Sequence, residues 1–179
     1  ASDICVSWTN GREDNCLQKI HKVGEDLLCG FAGSVRIGFV MLDALSKQLP
    51  SKQHRPPSFL VRDWIPTLAR RVFRAAPKYE RKLGCQLIVA AVHPTDNLGD
   101  DSTPRTYVWT FCFPDFNPEQ CGMNDAVGIG SGSAVPAYTK ALLDARRSST
   151  FLQLITHGEG AQAGYLAETM HEIVLRTPT

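Results

Sequence analysis

The apolar residues of this chain gather first into short extended segments, Asp3 to Trp8, Cys16 to Val23 and Asp26 to Gly30. They are joined by the turn-forming runs Thr9-Asn10-Gly11-Arg12 and Gly24-Glu25, which predicts a small antiparallel meander. The period then changes. From Ser34, the positions Val35, Phe39, Leu42, Leu45 and Leu49 recur at helical spacing until Pro50 closes the segment, so a long helix with a wide buried face is expected. Residues 51–58, polar and carrying Pro56-Pro57, read as a loop. A second helix starts near Asp63, with Leu60, Trp64, Leu68 and Val72 on one face and Pro66 in its tolerant first turn. Two β-branched and aromatic runs, 86–92 and 107–113, predict further strands. A helix from Ala134 to about Arg146 and another through Ala163, Leu166, Met170 and Ile173 complete the order. Strands, helices, strands, helices in that sequence permit an α+β fold in which two sheets, or one folded sheet pair, carry helices on their outer faces.

Length and charge narrow the classes. At 179 residues the chain is expected to form a single globular domain, 1–179. A net charge of +1, with acids and bases mixed, provides no broad field for nucleic acid or acidic lipid. No apolar run has the length to cross a bilayer and no export signal opens the chain, so a soluble, cytoplasmic protein is expected. The six cysteines, Cys5, Cys16, Cys29, Cys85, Cys112 and Cys121, lie in apolar segments without CxxC pairing, which suits reduced core thiols better than disulfides or zinc. No metal or other cofactor is expected. The acidic loop 95–101 lacks the ligand spacing of a twelve-residue calcium loop. The basic series Arg70, Arg71, Arg74, Lys78, Arg81 and Lys82 reads as a solvated helix face. Gly128, Gly130 and Gly132 precede a helix, but Ser133 falls where a dinucleotide fingerprint needs its last glycine, so a tight strand-to-helix turn is the better reading.

The chemistry concentrates at the N-terminal third. An acid on one strand (Asp3), a lysine opening the next (Lys19) and a small-residue turn at the mouth of a helix (Gly30-Phe31-Ala32-Gly33-Ser34) look like an active site lacking its nucleophile. With Gly128-Ile129-Gly130-Ser131-Gly132-Ser133 opening a later helix, these motifs in this order resemble proteasome-type subunits, the threonine-peptidase branch of the N-terminal nucleophile hydrolases. The resemblance spans nearly the whole chain. It implies a four-layer α-β-β-α sandwich of two stacked antiparallel sheets, here lacking the first strand and the last strands. It also implies catalysis by an N-terminal threonine freed by self-cleavage, whereas the first residue is Ala1 and Asp3 falls on the family's second strand.

The resemblance assigns roles residue by residue. Asp3 would orient Lys19, whose ammonium lowers the proton affinity of the nucleophile. Gly33 would donate its backbone N–H to the oxyanion, and Ser131 would support proton transfer at the terminal amine. Ser7 would pair with an extended substrate by strand addition, and Val6, Leu17, Phe31, Val35 and Phe39 would line a pocket for modest apolar side chains. Each has an ordinary alternative: an Asp–Lys ion pair on neighbouring strands, a glycine starting a helix, apolar residues serving as core. Three functions follow: a bacterial proteasome-like endopeptidase acting on peptides or unfolded protein in a homo-oligomeric ring, with an ATPase as a candidate partner; a non-catalytic assembly subunit; or another amide hydrolase of the superfamily.

Overall fold

The computed structural model describes residues 5–7, 13–15, 19–52, 59–93, 105–122, 127–130, 136–158, 160–162, 164–166 and 168–169. Two compact units divide the chain, Ser2–Met123 and Asn124–Thr179.

In the first unit, β1 (Cys5–Ser7) and β2 (Glu13–Asn15) form an antiparallel two-stranded ladder in which Val6 faces Asp14. A separate five-stranded antiparallel sheet has the order β3 (Ile20–Gly24), β4 (Leu27–Gly33), β5 (Cys85–His93), β6 (Arg105–Cys112) and β7 (Asn117–Gln120). The expected meander of three strands is therefore divided between two ladders: Glu13–Asn15 pairs back onto β1, and β3–β4 joins the larger sheet. β4 runs three residues past its expected end because β5 supplies partners as far as Gly33, which faces Cys85. The architecture is α+β with a five-stranded antiparallel sheet and helices.

Alternation along the strands separates two faces. Leu27, Cys29 and Phe31 of β4, Cys85, Leu87, Val89 and Ala91 of β5, and Phe111 of β6 are buried with residues of α1 (Val35–Gln48) and of α2 (Ile65–Ala75) in one core. The other face carries half-buried Ile20, Ile88, Ala90 and Val108, with Leu28 47% exposed.

Leu42, Leu45 and Leu49 are buried as the apolar spacing indicates, but the first two turns of α1 bury a different face. Ile37, Gly38, Met41, Leu42 and Leu45 are buried, whereas Val35 is half-buried and Phe39 is 37% exposed. The reason is a close approach between α1 and β4. A Cβ on Gly38 would lie 2.2 Å from Phe31 Cδ2 and 2.4 Å from Cγ, so only a glycine lets the helix settle onto this ring. Gly38→Ala is therefore expected to destabilise by about 2 kcal/mol, overpacking outweighing the better helix propensity of alanine. Chemical denaturation would reveal it, and an unchanged midpoint would contradict this packing.

The second helical segment is three pieces. A π-helical turn, Leu60–Trp64, leads into α2, which ends where Ala76 becomes extended before Pro77. The basic tail then forms a short helix of its own, α3 (Lys78–Lys82). Residues 113–116 turn β6 into β7 on Phe116, wholly buried with φ +52°, whose ring meets that of Phe73 at 5.5 Å.

In the second unit, α4 (Pro136–Arg147) matches the helix expected from 134 to about 146. Ser148 then caps α5 (Ser149–Gln153), accepting a hydrogen bond from the Phe151 N–H at 3.1 Å, and residues 160–162, 164–166 and 168–169 are helical.

Candidate functional site

Four of the residues indicated by sequence, Lys19, Phe31, Gly33 and Val35, sit where β3, β4 and α1 meet. Ile20 faces Gly30, and carrying this register one residue further sets Lys19 opposite Phe31 on the face that α1 covers. The Phe31 N–H donates to the Lys19 carbonyl at 3.3 Å, which holds the lysine at the head of β3. Lys19 itself is half-buried.

Two residues beyond Phe31, Gly33 ends β4 with φ +91°. This left-handed conformation turns the chain from strand to helix, and a Cβ here would lie 2.6 Å from the Gly84 carbonyl oxygen. Since backbone amides alternate along a strand, the Gly33 N–H lies on the same edge of β4 as the Phe31 N–H, the edge facing β3 and away from β5.

Ser34 then caps α1. It is a buried polar residue, 1% exposed, and its Oγ accepts from the Ile37 N–H at 3.2 Å. Val35 follows on the first turn, and one turn on, Phe39 meets the Phe31 ring edge-on at 5.2 Å and the His21 ring at 5.7 Å. Of the residues indicated by sequence, Lys19, Phe31, Gly33 and Val35 thus come together at one end of β3–β4–α1. Val6 and Ser7 lie on β1, paired with Asp14 and Glu13. Asp3, Leu17 and Ser131 lie outside the described residues.

The strand-to-helix turn has supports the sequence did not single out. The Ser34 hydroxyl donates to Glu80 Oε2, the Ser34 N–H donates to the Gly84 carbonyl at 2.9 Å, and Arg36 donates to the Tyr79 hydroxyl at 3.1 Å. Pro77, which breaks the basic helix, was the available signal that residues 78–84 form a separate piece.

The chemistry open to this arrangement is stabilisation of an oxyanion by a backbone amide near a helix N-terminus. Among the described residues no group of three or more His, Cys, Asp or Glu side chains could hold a metal ion. No helix among them is long and apolar enough to cross a membrane.

The core thiols are unsuited to nucleophilic work. Burial pushes the Cys29 thiol up to about 12, with the nearby Cys85 adding to the effect, and burial pushes Cys85 up to about 12 as well. Both stay protonated in the folded chain while unfolded thiols ionise near 9.0. Their contribution to stability is therefore complete below pH 9.0 and is lost as pH rises toward 12. Denaturation midpoints should fall across that window, and Cys29→Ala should flatten the fall. Exposed Cys112 is expected to alkylate well before Cys29 and Cys85, as peptide mass mapping after a short iodoacetamide pulse would show.

No protein-family model matches the chain, and no curated protein matches it. Among solved structures, it is similar to a eukaryotic HslV from Trypanosoma brucei at 16% identity, over 81% of this chain and 68% of that chain, with a TM-score of 0.47. A likeness of that degree says nothing of catalysis.

Proposed function

We propose that this chain is the body of a proteasome-like threonine-type endopeptidase, whose nucleophile is a terminal threonine preceding Ala1 in the complete protein. The observation that supports this reading is the juxtaposition of Lys19 with Phe31, two residues before the left-handed Gly33 that opens α1. A lysine ammonium beside a threonine hydroxyl favours loss of its proton to the terminal amine, and a fixed amide at Gly33 receives the charge that develops on the scissile carbonyl oxygen. The threonine oxygen attacks that carbonyl, the amide nitrogen leaves carrying a proton, and water then releases the acyl group.

Asp3 orients Lys19 and Ser131 assists at the terminal amine in this reading. Val6, Leu17, Phe31 and Val35 bound the pocket for the residue before the cut, with Ser7 pairing along the substrate backbone. Subunits assemble as a homo-oligomeric ring in the cytoplasm, and an ATPase partner would supply unfolded substrate. The experiment is hydrolysis of a panel of capped peptides by protein expressed from the complete reading frame. Cleavage after modest apolar residues is expected. Turnover of small amides but never peptides would point to a different amide hydrolase. No turnover, by a chain whose processed terminus offers no Thr, Ser or Cys, would point to an assembly subunit.

A further inference from the structure

We infer that Glu80 is a positioning residue for the Gly33 amide, acting through Ser34; this rests on the reading of Gly33 as an oxyanion donor. A glycine at φ +91° has wide conformational freedom of its own, so something outside it must hold the peptide plane. On one side β4 does this, since Ala32 is paired with Gln86 of β5. On the other side the hold is Ser34, fixed by four hydrogen bonds: its N–H to the Gly84 carbonyl, its carbonyl from the Gly38 N–H, its Oγ from the Ile37 N–H, and its hydroxyl proton to Glu80 Oε2.

The geometry of residues 77–84 is suited to the task. The Arg81 N–H donates to the Pro77 carbonyl at 3.1 Å, Leu83 to Glu80 at 3.0 Å and Gly84 to Arg81 at 3.1 Å, so the segment is a closed turn. Its Glu80 carboxylate and Gly84 carbonyl both hold Ser34, while Tyr79 receives Arg36. Ser34 is 1% exposed, so without the Glu80 acceptor its hydroxyl proton has no access to water in this position and must turn toward another acceptor, weakening the cap on Ile37. The consequence is a wandering peptide plane at the residue whose amide must be fixed before charge develops.

Steady-state kinetics of the complete protein test this. Glu80→Ala is expected to lower kcat about 30-fold with KM changed less than threefold, and Glu80→Gln, whose amide oxygen can still accept the Ser34 proton, is expected to restore most of it. A purely structural role would instead lower Tm in Glu80→Ala and leave kcat unchanged in both variants, which overturns the inference. The same variants are read by the Gly33 and Ser34 amide signals in NMR. There Glu80→Ala should move both and speed Ser34 hydrogen exchange, while Glu80→Gln should not. If the wild type turns over no peptide, the peptidase reading fails by itself, and the amide signals still decide whether Glu80 holds the turn: unmoved signals overturn it.

Discussion

Lys19→Ala, in protein expressed from the complete reading frame, is expected to lower kcat for peptide cleavage about a thousandfold. The backbone carbonyl of Lys19 carries its contact to Phe31, and that survives the substitution. What goes is the side chain of a half-buried residue at the head of β3, with its charge. In the proposed mechanism its loss returns the hydroxyl of the terminal threonine to its ordinary proton affinity and removes the cation that offsets developing negative charge. Lys19→Arg keeps the charge but spreads it over a planar fork, so a partial loss is expected. Turnover within threefold of wild type in Lys19→Ala would show that the lysine serves the fold alone.

Gly33→Ala is expected to be the most destabilising single change at the site, by about 3 kcal/mol, or roughly 9 °C in Tm. Two costs combine. An L-residue at φ +91° is strained, and the new Cβ would stand 2.6 Å from the Gly84 carbonyl oxygen, a backbone atom that cannot swing aside as a side-chain tip could. Relieving the contact means separating β4 from residue 84, which also pulls on the 2.9 Å bond from the Ser34 N–H. Thermal melting checks the stability, and peptide kinetics on the folded fraction check the chemistry. A Gly33→Ala variant that melts normally would contradict the tight turn on which both the fold at this corner and the proposed oxyanion donor depend.

The contrast between Gly33 and Gly38 shows what a sequence can disclose here. Gly33 lies at the change from extended to helical period, where a left-handed residue is the usual device, so its special role was legible. Gly38 lies inside a helical pattern, and only the ring of Phe31 against it explains why the buried stripe runs through Ile37, Met41 and Leu45 rather than Val35 and Phe39. That choice is made between elements, and helical spacing alone cannot resolve two stripes that are both apolar. The same limit hid Glu80. Its bond to Ser34 spans 46 positions, and nothing in the basic run around it marks one acid as facing inward. Pro77 breaks that run into two helices, which its reading as one basic face passed over. Lys19, Phe31, Gly33 and Val35 were identified by motif order, and strand register brings them to one corner. Asp3, Leu17 and Ser131 stand beyond what the described residues test.

The measurement that bears most directly on the central claim is the intact mass and N-terminal sequence of the protein produced from its complete reading frame. A mature chain that begins with threonine is the expected result. A processed chain whose first residue is not Thr, Ser or Cys would contradict a terminal-nucleophile peptidase, however well Lys19 and Gly33 are arranged.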